Sequence, residues 1–131
     1  MSSLSVFDIA SRAMSAQLVR LNTVASNLAN AGSVAGSETD AYRALKPVFR
    51  TTYDGSVATV DVERIASGRP AERRHDPAHP LADAQGNVWV SSVDTNQELI
   101  EMTETARQYA NNVEVMATAK TLILDTLRMG K

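Results

Sequence analysis

The sequence predicts a mainly α, α+β chain: two long heptad helices, one at each end, form an antiparallel coiled coil around a small β-rich insert. Three observations predict it. Residues 4–30 place apolar side chains seven apart. Residues 95–129 do so at three- and four-residue spacing, with no Gly or Pro to interrupt them. Residues between them break that rhythm with turn and strand signals. The predicted divisions are an N-terminal helix over 1–31, a loop and insert over 32–93, and a C-terminal helix over 94–131.

In the first helix, Phe7, Met14, Leu21 and Leu28 are spaced by seven. Ala10, Val24 and Ala31 fill the positions three further on, with Gln17 the polar exception. That is an a/d seam of the coiled-coil type. Asp8 suits the positive end of the helix dipole. Asn30 and Gly32 are stop residues.

The insert opens on a polar loop, "GSVAGSETDA" at 32–41. Val48 and Phe49 then precede an Asp54-Gly55 turn, and Val60 and Val62 alternate with Asp61 and Glu63, which predicts a hairpin. "GRPAERRHDPAHPLADAQG" reads as irregular because of its three prolines. "GNVWVSSV" at 86–93 reads as one more strand, with Trp89 its anchor.

The second helix starts at "TNQE", where Thr95 as N-cap and Glu98 three residues on fit a capping box. Leu99, Met102, Ala106, Tyr109, Val113, Met116, Ile123 and Leu127 form its seam, with Lys120 the only polar intrusion. Arg128 and Lys131 suit the negative end of the dipole.

Composition narrows the function. The 131 residues suffice for one domain with a core, and 44% hydrophobic residues argue against wholesale disorder. Aromatics are only 5%, which favours thin, close helix packing over a bulky core. The net charge of −2 comes with both signs scattered, so no nucleic-acid partner is expected. The absence of cysteine removes disulfides and thiolate chemistry. The start has neither a cationic nor an apolar signal region, so a cleaved secretory signal is not expected. No Gly-rich phosphate loop, nucleophile elbow or paired-carboxylate cleft is present; neither an enzyme, a cofactor nor a small-molecule substrate is expected. His75, Asp76, His79 and Asp83 lie close in sequence. Pro77 and Pro80 forbid the helix that would let the two histidines share a metal, so a proline-fixed loop is the expectation.

The backs of the helices are unusual. Asn22, Asn27 and Asn30 fall away from the first seam, among small residues such as Ser15, Ala16, Ser26 and Ala29. The second helix repeats this with Thr105, Asn111, Asn112, Thr118 and Thr121. A solvated helix back favours Lys, Glu and Arg. Small and amide side chains instead allow another backbone to approach closely, and a buried polar residue fixes register. Such a surface predicts contacts between chains. Packing confined to the chain itself, as a self-contained helical hairpin acting as adaptor or chaperone-like binding module, is the alternative.

"LNTVASNLANAGS" at 21–33, with its core Asn27-Leu28-Ala29-Asn30, resembles the N-terminal signature of the flagellar basal-body rod and hook proteins. Residues 98–131 are similar to that family's C-terminal helix, through Glu98-Leu99, Arg107, Tyr109, Asn111-Asn112 and Lys120. Pro77, His79, Pro80, Ala82 and Asp83 resemble the insert of a short proximal rod member. His75, Asn87 and Ser91-Ser92 depart from it. The resemblance implies a structural subunit of the proximal rod, the torque-transmitting shaft that crosses the periplasm. Implied partners are further copies, other proximal and distal rod proteins, a rod-to-MS-ring adaptor and the flagellar type III export apparatus. Export would then need no cleaved signal. The seam residues, the asparagines, Arg107 and Tyr109 would serve subunit packing, and the Pro77–Asp83 loop would contact neighbours.

Overall fold

The computed structural model describes residues 3–130. Its elements run α1 (Ser3–Ala29), β1 (Val34–Ala35), β2 (Leu45–Asp54), β3 (Val57–Ser67), β4 (Glu72–His75), β5 (Asn87–Val90) and α2 (Thr95–Met129). The chain is therefore a mixed α+β protein, with two helices and a small β region between them. No helix among the described residues is long and apolar enough to cross a membrane.

Helix α1 ends as its sequence dictates. The Asn30 N–H still reaches the Ser26 carbonyl at 3.1 Å, and the Ser33 N–H closes back onto Asn30 at 3.1 Å. Gly32 adopts φ +76°, a left-handed position that glycine takes without a Cβ penalty. At the start of α2 the cap is Asp94, not Thr95. Asp94 Oδ1 accepts from the Asn96 and Gln97 N–H groups at 3.1 and 3.2 Å, so Thr95 is the first helical residue. Both residues are good N-caps, but a carboxylate also favours the positive helix end. At the far end, Arg128 sits in the last turn of α2, and Lys131 lies outside the described residues.

Strands β2 and β3 form a two-stranded hairpin around the predicted turn. The second sheet has the order β1-β5-β4, all antiparallel. Trp89 of β5 lies between Ala35 of β1 and Arg73 of β4. Two of these strands fall where the sequence reads as loop. β1 is only two residues long, inside the polar segment. β4 is Glu-Arg-Arg-His with all four residues exposed. It is an edge strand, and charged side chains on an edge discourage pairing with other chains.

The chain divides into two compact units. One comprises residues 1–21, 47–64 and 103–131; the other comprises 22–46 and 65–102. In the first, Arg12 ties α1 to β3 through Asp61 at 3.3 Å, and Thr52 of β2 donates to the same carboxylate at 2.7 Å. Asp8, then Asp61, hold the Arg12 guanidinium pKa above its ordinary value. Gln17 Nε2 donates to Gln108 Oε1 at 2.8 Å, linking α1 to α2 in that unit. In the second unit, the Gly68 N–H meets the Ala44 carbonyl and the Ser91 N–H meets Ser33.

The buried apolar residues among those described are five alanines and two valines: Ala10, Ala16, Val24, Ala41, Ala44, Val88 and Ala119. This is the thin packing that the low aromatic content predicts. Thr105 of α2 is fully buried, and its hydroxyl finds no partner among the described residues. Thr105→Val keeps the shape and removes that orphan, so it is expected to raise stability by about 1 kcal/mol, read as a higher urea midpoint.

Candidate subunit-packing surfaces

The buried faces of both helices are rotated by roughly 70° from the apolar seams, taking about 100° per residue. On α2 the buried and half-buried residues include Glu98, Thr105, Asn112 and Ala119, which are seven apart and polar or small. The seam residues Leu99, Met102, Val113 and Leu127 are instead exposed, by 44, 37, 44 and 62%. Tyr109, Met116 and Ile123, on the border between the two faces, are half-buried. On α1 the large seam residues Phe7, Met14, Leu21 and Leu28 are half-buried and the seam residues Ala10 and Val24 are buried, as are Ala16, Thr23 and Asn27 off the seam. The expectation that small and amide residues face outward therefore fails at Ala16, Asn27 and Thr105. Close packing selects small side chains, and here the close packing is within the chain.

Asn27 shows why. It is 1% exposed. Its Oδ1 accepts from the Leu45 N–H at 2.8 Å and from the Tyr42 hydroxyl at 2.8 Å. Its Nδ2 donates to the Leu45 carbonyl at 2.9 Å. The amide thus pairs with one backbone residue as a neighbouring strand would, and fixes the start of β2 on α1. Ser26 Oγ completes the cluster, 3.0 Å from the Tyr42 hydroxyl. Asn27 thus joins parts of its own chain. The other asparagines separate by role. Asn30 bonds its own helix at the Ser26 carbonyl. Asn22 and Asn111 are exposed, as is Arg107, and Asn112 is half-buried.

The proline loop holds its form through Asp83. Its carboxylate accepts from the Gln85 and Asn87 N–H groups at 2.9 and 2.8 Å, and its own N–H donates to the Asn87 carbonyl. His79 Nδ1 accepts from the Leu81 N–H at 3.1 Å. Pro77 and Pro80 are exposed. Gly86 closes the loop at φ +77°, where a Cβ would lie 3.0 Å from the Pro77 ring. Among the described residues no three His, Asp or Glu gather as a metal site. Asp83→Ala removes two charge-assisted bonds and is expected to cost about 2 kcal/mol, read as a lower urea midpoint.

The sequence signals missed Tyr42 and Leu45 as partners of Asn27. They also missed Gln108, whose match is the lone polar residue of the first seam, Gln17.

A two-helix chain that buries mostly alanines and leaves Leu99, Met102, Val113 and Leu127 of one helix in the open has the build of an assembly subunit. Residues 7–36 match the family model described as "Flagella basal body rod protein". Residues 84–129 match the one described as "Flagellar basal body rod FlgEFG protein C-terminal". The chain is 42% identical to the flagellar basal-body rod protein FlgC of Escherichia coli O6:H1 over the whole of both chains. It is 41% identical to that of Salmonella typhimurium LT2, also over both whole chains. The FlgC of Aquifex aeolicus is 32% identical, over 95% of this chain and 94% of its own. The chain belongs to the FlgC family of flagellar basal-body rod proteins and is a structural rod subunit of the basal body.

Proposed function

We propose that this subunit polymerises through its terminal helices, with copies of itself and with other proximal and distal rod proteins, into the shaft that crosses the periplasm and transmits torque. The observation that carries this reading is the open seam of α2, with Leu99, Met102, Val113 and Leu127 exposed. Burial of apolar surface is the main favourable term in association, and a chain whose buried apolar residues are mostly alanine gains little of it alone. Neighbours would supply the missing surface. Within the subunit, α1 and α2 would pair antiparallel as a coiled coil, a reading supported by the Gln17–Gln108 bond.

The rod reading brings further partners: a rod-to-MS-ring adaptor at the base, and the flagellar type III export apparatus, which would pass the chain without a cleaved signal. A shaft subunit has no chemistry to perform, so the chain would be neither enzyme nor cofactor carrier. A self-contained adaptor hairpin fits the open seam less well, since it would leave that seam in water for no gain.

Peptide mass spectrometry of intact purified basal bodies tests the reading. Presence at the stoichiometry of other rod proteins is expected. The chain found free in the cytosol and absent from the rod fraction would reject it.

A further inference from the structure

Lys120 lies in the apolar seam of α2, on one face with Val113, Leu124 and Leu127. All four are exposed, and among the described residues Lys120 makes no ion pair. Arg128 flanks the same face, held only by an exposed contact with Asp125 at 3.8 Å. A cation on an apolar stripe fits a surface with an apolar floor and a carboxylate rim, since the lysine stem packs while its head finds charge.

A cleft of that chemistry opens between α1 and β3. It has a volume of about 310 Å³ and is lined by the apolar Ala16, Val19, Val60 and Val62 together with Arg12, Ser15 and Asp61. Asp8 stands beside Arg12, so two carboxylates face one guanidinium there. The cleft is anionic on balance, and the Lys120 face is cationic.

We propose that this cleft receives the Lys120 face of α2 from a second copy of the chain. Leu124 and Leu127 meet the apolar lining, and Lys120 with Arg128 meets Asp8 and Asp61. The proposal rests on the rod reading, in which copies are neighbours. Cleft and lysine face are different surfaces, so the contact is heterologous. Repeated from copy to copy, a heterologous contact builds a ring or an open helix, the form a shaft requires. Lysine at a seam position would then set register between subunits, as a lone polar seam residue does in coiled coils.

The native chain has no cysteine, which permits a direct test. Chains carrying Ser15→Cys and chains carrying Leu124→Cys are expressed together in place of the native protein, and purified basal bodies are treated with a short bismaleimide. A cross-linked dimer that requires both chains is expected. Both chains present in the rod fraction without a dimer would overturn the contact alone. Both chains absent from that fraction, with the native chain absent from the rod fraction of the parental strain as well, would overturn the rod reading and the contact with it.

Motility gives a second readout that does not depend on cysteine. Lys120→Glu is expected to cut swarm diameter to less than about half, by like-charge repulsion at the cleft, while Lys120→Arg keeps it. Lys120→Glu swarming at the parental diameter would overturn the proposal.

Discussion

Asn27→Ala is expected to lower the unfolding free energy by about 2–3 kcal/mol, because it removes three hydrogen bonds made by a buried side chain at once. The Leu45 N–H and carbonyl both lose their side-chain partner, and the Tyr42 hydroxyl is left with Ser26 Oγ alone. A truncation at a solvated site would cost a few tenths of that figure, since water would replace the lost bonds; at 1% exposure it cannot. The measurement is the urea midpoint of the purified chain, with far-ultraviolet circular dichroism as the probe. Asn27→Asp separates the bonds. It keeps an acceptor for the Leu45 N–H and the Tyr42 hydroxyl, removes the donor to the Leu45 carbonyl, and buries a charge. A fall between the parent and the alanine variant is expected. A shift below about 0.5 kcal/mol for Asn27→Ala would mean that the amide is replaceable by water, and that β2 is held on α1 by other means.

The same residue shows what the sequence could and could not convey. Periodicity located both helices to within a residue or two, because the heptads of Phe7 to Leu28 and Leu99 to Leu127 are long and each has a single polar exception, Gln17 or Lys120. The Asp54-Gly55 turn with its flanking valines located the hairpin. Orientation about the helix axis was misleading. Apolar spacing marks the inward face in an ordinary globular core, but it does not do so along the whole of these helices. In a thin chain the closest approach is reserved for alanine, threonine and asparagine; the larger apolar seam residues are half-buried on α1, and on α2 Leu99, Met102, Val113 and Leu127 are exposed. Thr105 and Asn27 are therefore buried while Leu127 is open. β4 was illegible for a different reason. Glu72, Arg73, Arg74 and His75 are exposed on both faces, so no alternation marks the strand; only its pairing with β5 defines it. The cap of α2 was displaced by one residue because Asp94 and Thr95 are both competent caps. The partners of Asn27 could not be read at all, since Tyr42 and Leu45 reach it across a loop with no fixed sequence spacing.

Val113→Glu is expected to leave the isolated chain as stable as before and to abolish swarming. Val113 is 44% exposed on α2 and lies on the open seam between Met102 and Leu127. A substitution at such a site changes folding by no more than about 0.5 kcal/mol, and glutamate is a better helix former than valine. In a packed rod the same carboxylate would be taken out of water among the apolar side chains of neighbours, at a cost of several kcal/mol per subunit. That cost would recur at every copy, so even a modest effect per contact becomes decisive for a polymer. The pairing with Asn27→Ala is informative because the two substitutions act on opposite faces of the same design. One removes three bonds that hold the fold; the other alters a surface that folding does not use. Urea unfolding should report the first and swarm plates the second. Parental swarming in Val113→Glu, with the chain present in the basal body, would mean that the seam faces solvent in the rod. The contacts between subunits would then have to be carried by α1 or by the hairpin.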